Sequence, residues 1–140
     1  MARDVQISFD ATDPHNLAQW WAERLGLVIH ADSEQVEGLL AGGVITEEMV
    51  VRRDGETFFA DAVAAFDPDG RIPRFLFQRV PEGKTAKNRL HLDISVPQDE
   101  LDDEVDAWTA TGAEFVGLNS HPGHRWAVMR DPEGNEFCLH

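Results

Sequence analysis

The sequence predicts an α+β fold made of two copies of a βαβββ module, and a repeated motif is the first observation behind this prediction. The tetrapeptide Asp-Pro-acidic-Gly occurs twice, at residues 67–70 and 131–134. Upstream of each copy, an alternating strand pattern precedes an amphipathic helix pattern that ends at a glycine, Gly26 in one copy and Gly112 in the other. Self-similarity of this kind indicates an internal duplication. Two such modules can close around one cleft, where a ligand would bind.

The spacing of the two copies locates an insertion in the first. Gly26 and Gly112 are 86 positions apart, whereas Asp67 and Asp131 are 64 positions apart, which leaves a surplus of about 22 residues between helix and turn in the first copy. The segment at about 32–53 accounts for this surplus and is predicted to form a flap of one or two short helices, with Thr46 as one N-cap. We therefore expect a single domain over 1–140, with module one at about 4–80 and module two at about 88–140.

Each module carries one predicted helix. In the first, Asp13 is the expected N-cap, Pro14 occupies the first helical position, and Gly26 ends the helix. In the second, Gln98 and Asp99 open a helix with an apolar stripe and many acidic residues, which we interpret as a solvated face. The apolar positions of the two helices are Leu17, Trp20, Trp21, Leu25, Leu101, Val105 and Trp108.

Alternation and β-branched content predict eight strands, four in each module. They lie at about 5–10, 27–31, 57–66, 74–80, 89–96, 114–118, 125–130 and 136–140. In the first strand Gln6 lies on the polar face, and in the fifth strand His91 and Asp93 do so. Because the helices pack on the apolar sheet faces, these polar faces are expected to line the shared concavity.

Composition excludes several kinds of partner. The formal net charge of -14 repels phosphate backbones and anionic lipid, which argues against nucleic-acid and membrane binding. Cys138 is the only cysteine, so no intramolecular disulfide forms. No signal segment or membrane-spanning apolar run is visible, so a cytoplasmic location is expected. A neutral or cationic small organic molecule is the partner that this charge accommodates best.

Three stretches of the chain resemble one known superfamily. They are residues 13–17 with Trp20, Trp21 and 25–27, the strand at 88–93, and the ending at 126–138. The chain is similar to the vicinal oxygen chelate superfamily, and within it to glyoxalase-like proteins grouped with glyoxalase I, bleomycin resistance proteins and extradiol dioxygenases. The resemblance covers nearly the whole chain. It implies paired βαβββ modules, an eight-stranded open half-barrel and frequent dimerisation.

The resemblance also implies positions for a metal. Metal-dependent members place four ligands on the first and last strands of each module, and these positions fall on Gln6, Gln78, His91 and Cys138. The family's enzymes use carboxylates and imidazoles there, whereas this chain has Gln78 and Cys138 where glutamate is usual. Two amides, one imidazole and one thiol are a poor set for nickel, iron or magnesium. The favoured expectation is no metal cofactor, with a divalent metal on these four residues as the alternative.

Each of the other polar candidates for a functional role has two interpretations. Glu136 is either a general base or an anchor of the nearby turn, and Cys138 is either a buried structural thiol or a nucleophile. His121 and His124 flank a Pro-Gly loop that could close a cleft or simply be exposed. No arrangement resembles a hydrolytic triad or a phosphate-binding glycine loop.

Aromatic residues complete the predicted ligand site. Trp126 begins a strand beside polar residues and is predicted to line the cleft, a dimer seam or the core. Phe58 and Phe59 point to opposite faces of one strand, so one of them should face the concavity, and Phe59 is our candidate. Together with Gln6, Gln78 and His91, these residues predict a glyoxalase-like protein that binds a small organic ligand and forms a homodimer. The alternative is a metal-dependent lyase, isomerase or dioxygenase.

Overall fold

A computed structural model describes all 140 residues, which divide into two compact units at residues 1–83 and 84–140. The helices are α1 (Pro14–Leu25), α2 (Ser33–Ala41) and α3 (Leu101–Thr109), with a short 3₁₀ helix at Glu47–Met49. The strands are β1 (Gln6–Ala11), β2 (Val28–His30), β3 (Val50–Arg53), β4 (Glu56–Phe59), β5 (Ala62–Phe66), β6 (Arg74–Arg79), β7 (Asp93–Ile94), β8 (Glu114–His121), β9 (His124–Arg130) and β10 (Glu136–Leu139). None of the helices is long and apolar enough to cross a membrane.

The two units repeat one topology. The first has a four-stranded sheet in the order β1-β6-β5-β2, and the second has one in the order β7-β10-β9-β8. In each sheet the first and last strands of the unit pair in parallel, and the remaining neighbours are antiparallel. Each unit contains a helix between its first and second strands. The predicted α+β class and the duplicated βαβββ order are confirmed.

The core of the first unit lies between its sheet and α1. Phe9 stacks on Phe77 at a centroid distance of 4.8 Å, and Trp21 lies 5.6 Å from Phe9. Both Trp21 and Leu17 are almost fully buried on one face of α1. The carboxylate of Asp13 accepts a bond from Asn16 N at 3.1 Å, as expected of the N-cap. Burial of these large rings excludes a ligand from this face of the sheet centre.

The core of the second unit is built in the same way from fewer residues. Leu101 and Trp108 on α3 are buried, and Trp108 lies 5.2 Å from Phe137 of β10. The helix begins at Leu101 rather than at the predicted Gln98, whose side chain instead bonds the backbone of Arg125 in both directions. An amide that is already bonded to a neighbouring strand does not cap the helix.

The repeated tetrapeptides form buried carboxylate turns. Asp67 accepts bonds from the backbone N–H groups of Asp69 and Arg71, both at 2.9 Å. Asp131 likewise accepts from the N–H groups of Glu133 and Asn135 at 2.9 and 3.0 Å. These bonds satisfy backbone donors inside a tight turn, which explains why an acidic residue opens both copies.

The insertion in the first unit is partly helical and partly a hairpin. The predicted helices are present as α2 and the 3₁₀ helix, but β3 and β4 follow them as a two-stranded sheet. The single strand predicted at 57–66 is therefore wrong, since a turn at Ala60 and Asp61 divides it into β4 and β5. The backbone N–H of Ala60 bonds the Met49 carbonyl and pulls the chain out of the sheet. The chain consequently has ten strands: the two four-stranded sheets hold eight, as predicted, and the inserted hairpin adds two.

The strand predicted at 89–96 is also shorter than expected. Only Asp93–Ile94 is regular strand, and Leu90 is one of the most exposed apolar residues. Backbone bonds from Cys138 N to Leu92 O and from Val96 N to His140 O still hold 92–96 against β10. Residues 89–91 have no strand partner, so His91 lies at the end of the strand rather than in its middle.

Candidate functional site

A polar and aromatic pocket lies on one face of the second unit's sheet. It has a volume of about 240 Å³. Its lining residues are His91, Asp93, His124, Trp126, Cys138 and His140. Alternation explains the grouping: Cys138 and His140 share one face of β10 and its extension, and Cys138 pairs directly with Asp93 of β7. The pocket therefore collects three imidazoles, one indole, one carboxylate and one thiol.

His91 and Asp93 form the polar centre of this pocket. His91 Nδ1 lies 3.0 Å from Asp93 Oδ1, and both side chains are largely exposed to solvent. A carboxylate only accepts, so this contact assigns the proton of the neutral ring to Nδ1. The Nε2 atom of His91 is then the ring acceptor that a ligand's N–H or O–H group can use.

The thiol of Cys138 is not activated. Burial raises the pKa of Cys138, and the charge and hydrogen bond of Asp93 raise it further. The thiolate is the reactive form of cysteine, so a raised pKa leaves a neutral, unreactive thiol at pH 7. This environment supports the structural interpretation of Cys138 rather than the nucleophilic one.

A wall of rings borders the pocket. His124 and Trp126 stack with their planes 23° apart and their centroids 6.1 Å apart. His121 approaches Trp126 at 5.5 Å, and His124 approaches His140 edge-on at 5.6 Å. The hairpin that joins β8 to β9 therefore supplies an aromatic surface beside the His91–Asp93 pair.

The predicted residues of the first unit do not form one group. Gln6 pairs with Arg74 along β1 and β6, whereas Gln78 pairs with Asp10, so four residues of strand separate the two amides. That separation is roughly 13 Å at the usual rise per residue. The Gln6 side-chain oxygen accepts a bond from Arg74, and Gln78 Nε2 donates to Asp10 Oδ1 at 3.0 Å.

The predicted match between Gln78 and Cys138 is shifted by two residues. Ala64 and Val128 each lie three residues before the Asp-Pro-acidic-Gly turn of their unit. Ala64 pairs with Leu76, and Val128 pairs with Cys138. Leu76, and not Gln78, therefore occupies the position of Cys138 in the first unit. The cause is a longer connection, because the first unit has two additional residues between turn and strand.

The same strand pairing shows which other residues of the first unit correspond to residues of the second. Leu76 pairs with Ser8 in the first unit, as Cys138 pairs with Asp93 in the second, so Ser8 corresponds to Asp93. Two residues earlier in each strand, Gln6 corresponds to His91, as the duplication predicts. Two residues beyond Leu76, Gln78 corresponds to His140. An apolar side chain thus stands in the first unit where the second has its thiol.

Phe58 and Phe59 lie on the inserted hairpin of the first unit. Phe59 is half-buried and lines a cavity of about 210 Å³ that also includes Arg74 and Leu76. Phe58 is buried and borders this cavity together with a second one of about 320 Å³. Strand alternation sends the two rings to opposite faces of the hairpin, as the sequence predicts.

Sequence reasoning placed Asp93 beside His91 on the polar strand face without naming it as a site residue, and it missed His140. The period of two would have assigned both to the site, because Asp93 is two residues from His91 and His140 is two residues from Cys138. Glu136, on the same alternation, does not reach the pocket. Its carboxylate accepts a bond from Asn88 N at 2.9 Å and forms an ion pair with Lys84 at 3.0 Å.

A family model for the glyoxalase-like domain matches residues 6–140. The chain belongs to the glyoxalase-like domain family. The predicted membership of the vicinal oxygen chelate superfamily is thereby confirmed. Among curated proteins, none matches this sequence.

Several solved structures have a fold similar to that of this glyoxalase-like chain. A glyoxalase/bleomycin resistance protein/dioxygenase family enzyme from Burkholderia phytofirmans has a TM-score of 0.63 at 15% identity, covering 98% of this chain and 97% of its own. The fosfomycin resistance protein FosX from Mesorhizobium loti has a TM-score of 0.63 at 11% identity, with coverages of 100% and 91%. These similarities confirm the predicted fold and, at such identities, show the fold alone.

A third solved structure contains a metal. A mutant FosX from Listeria monocytogenes, in complex with manganese(II) and 1S,2S-dihydroxypropylphosphonic acid, has a TM-score of 0.63 at 10% identity and coverages of 100% and 90%. In this glyoxalase-like chain, His91, Asp93 and Cys138 place their ligand atoms within 4.8 Å of one another. Manganese prefers oxygen and imidazole ligands, whereas a thiol suits softer ions such as zinc. The donor set therefore does not fit a manganese centre.

Proposed function

We propose that this glyoxalase-like protein binds a small neutral or cationic organic compound in the pocket of its second unit, without a catalytic metal. The observation that carries the proposal is the combination of a stacked His124–Trp126 wall and a His91–Asp93 pair in one cavity. Pockets that combine a flat aromatic wall with a few polar groups are typical of small-molecule sites. We propose a cytoplasmic location as well, since the sole cysteine is a free thiol.

The polar groups favour a cationic or hydrogen-bonding ligand. Asp93 contributes a carboxylate, and its side chain is 55% exposed, so an organic cation can approach it. The face of Trp126 attracts a cation through its ring quadrupole, by about 0.5–2 kcal/mol depending on solvent exposure. The Nε2 atom of His91 accepts one further hydrogen bond from the ligand. The net charge of -14 also raises the local concentration of cations and lowers that of anions.

Gln6, Gln78 and Phe59 remain proposals of lower priority as ligand contacts. The Gln6 and Gln78 amides each have one polar atom engaged by Arg74 or Asp10, and each keeps its other polar atom available. Phe59 lines a cavity of the first unit and could bind an apolar group there. Their separate substitution to alanine, measured with the same ligand, decides whether any of them contributes.

The test begins with protein purified without chelator or nickel resin, followed by metal analysis and a thermal-shift screen of aromatic amines and neutral aromatic compounds. For a compound that stabilises the protein, His91→Ala should weaken binding about tenfold, since a lost buried hydrogen bond costs about 1–3 kcal/mol. Trp126→Ala should weaken it by a similar factor. His30→Ala is the control for loss of an imidazole outside this pocket, and because His30 lines the cavity of Phe59, a loss of affinity in this variant alone would assign the ligand to that cavity. Equal affinity of the wild type and both pocket variants would refute the proposal.

One observation favours a second function, that of a metal-dependent lyase, isomerase or dioxygenase. His91, Asp93 and Cys138 offer three donors close together, which is the number that catalytic zinc sites take from the protein. In that case binding or turnover should vanish with a chelator and return with stoichiometric zinc. Retention of ligand affinity in chelator-treated protein excludes this alternative and supports the metal-free proposal.

A further inference from the structure

The first unit contains a cavity that is independent of the proposed site. It has a volume of about 320 Å³ and lies among α1, β2, β5 and the β3–β4 hairpin. Ile29, Phe58 and Val63 supply its apolar lining. Arg53 and Glu56 of the hairpin, together with the turn residue Asp54, bring charges of both signs to the same cavity. Its volume falls within the range of small-molecule sites, which is roughly 300–1,000 Å³.

Arg53 and Glu56 are opposite in charge and directly opposite in the β3–β4 register, yet they form no ion pair. Such cross-strand pairs normally attract each other. Here each is held by another element. Arg53 Nη1 donates to Asn16 Oδ1 on α1 at 2.9 Å, and the Glu56 carboxylate accepts a bond from the Ser33 hydroxyl at the start of α2.

This separation leaves Arg53 without a carboxylate partner. None of the chain's ion pairs includes it, although acidic residues outnumber basic ones by 26 to 12. The guanidinium has five N–H donors in a fork that matches a carboxylate, and its bond to Asn16 uses only part of that capacity. An anionic group of a ligand is the partner that its chemistry fits.

His15 contributes a hydrogen-bonding group to the same cavity. It is only 6% exposed, and its Nε2 lies 2.9 Å from the Phe59 carbonyl, to which it donates. Burial lowers the pKa of His15 and outweighs the opposing hydrogen bond to Phe59, while the charge of Arg53 lowers it further. The ring is therefore neutral at pH 7, with Nδ1 as an acceptor for a ligand N–H group.

We propose that this cavity binds a small zwitterion of the α-amino-acid type that carries an apolar side chain. Its carboxylate would pair with Arg53, its ammonium group with Glu56 and Asp54, and its side chain would contact Ile29, Phe58 and Val63. A simple anion would meet two carboxylates in a chain of net charge -14, and a simple cation would meet Arg53. A zwitterion satisfies both signs at once.

The test is calorimetric titration of the full chain with L-phenylalanine, phenylalanine amide and 3-phenylpropionate. The amide lacks the carboxylate and the propionate lacks the ammonium group, while both keep the ring. Phenylalanine should bind, and each analogue should bind at least tenfold more weakly. This comparison uses wild-type protein, so it does not depend on the folding of a variant. Equal affinity for all three compounds, or no binding of phenylalanine at millimolar concentration, would overturn the proposal.

Variants then assign the binding to this cavity. Arg53→Gln and Glu56→Gln should each weaken phenylalanine binding at least tenfold. Arg52→Gln is the matched control, because Arg52 loses the same charge from the same strand but points to the opposite hairpin face, toward Glu37 and Glu47. His91→Ala should leave the affinity unchanged. If His91→Ala abolishes the binding and Arg53→Gln does not, phenylalanine binds in the second unit and this inference is wrong, whereas the proposed function stands.

Discussion

The carboxylate of Glu136 is predicted to be a major contributor to the stability of the second unit at neutral pH. Its side chain is 10% exposed, and it lies 3.0 Å from Lys84 Nζ and 3.8 Å from Arg130 Nε. Burial alone would raise the pKa of Glu136, but the bond from Asn88 N and the Lys84 ammonium group outweigh it and hold the pKa at about 2. The perturbation we choose is Glu136→Gln, which keeps the shape and removes the charge.

The expected magnitude follows from the change in proton affinity on folding. The pKa of Glu136 falls from 4.5 to about 2, and each tenfold change is worth about 1.4 kcal/mol, so the ionised form stabilises the fold by about 3 kcal/mol at pH 7. Because the folded pKa is the lower one, this contribution is present above pH 4.5 and is lost as the pH falls toward 2. At pH 3 it should be about 1.4 kcal/mol.

The assay is urea unfolding of the wild type and Glu136→Gln at a series of pH values from 7 to 3, followed by tryptophan fluorescence. The difference in unfolding free energy between the two proteins isolates Glu136 from the other titrating acids. It should be about 3 kcal/mol at pH 7 and less than half of that at pH 3. Glu133→Gln, which removes one carboxylate from the neighbouring turn, is the matched control. A wild-type–variant difference that stays constant between pH 7 and 3 would refute the reasoning.

Three further predictions concern the cap, the thiol and the assembly. Asp13→Ala should lower the unfolding free energy by about 1 kcal/mol in urea titration, because it removes the N-cap acceptor of α1; no change would contradict the cap. Cys138 should react with a disulfide reagent more slowly than a free cysteine between pH 7 and 9, and Asp93→Asn should accelerate it, since Asp93 helps to raise the thiol pKa; a faster wild-type reaction would count against this environment. Light scattering at micromolar concentration should report about twice the chain mass of 15.7 kDa, the homodimer that the family resemblance implies, and a strictly monomeric mass would argue against it.

Much of the fold was predictable because its signals are local. The Asp-Pro-acidic-Gly turns, the Asp13 cap and the helix-terminating Gly26 each use chemistry confined to a few residues. The break at Ala60 and Asp61 was missed although aspartate favours turns, because apolar residues flank Asp61 on both sides and the backbone bond at the break is made to Met49, eleven residues earlier. Boundaries set by such tertiary contacts have no pattern in the sequence.

The residues of the candidate site were predictable where alternation within a single strand gives the face of a side chain. They were not predictable where the pairing of two strands had to be known. His91, Cys138 and Trp126 line one pocket as residues of alternating faces would. Leu76 rather than Gln78 corresponds to Cys138, because the first unit has two extra residues between its turn and its last strand. Comparing the two modules within one sequence does not show how the pairing of the strands accommodates these residues. The pseudo-two-fold relation between Gln6 and His91 stays a prediction.

The two-sided hairpin of the insertion makes the first unit unusually sensitive to the length of one turn. Arg53 and Glu56 belong to the face that borders the larger cavity, whereas Thr57 and Phe59 belong to the face that borders the smaller one. A slip of β4 by one residue in its pairing with β3 would reverse the direction of every side chain in that strand. The Glu56 carboxylate would then border the smaller cavity and the Phe59 ring the larger one, without any substitution. The register of this hairpin therefore decides which side chains border each cavity.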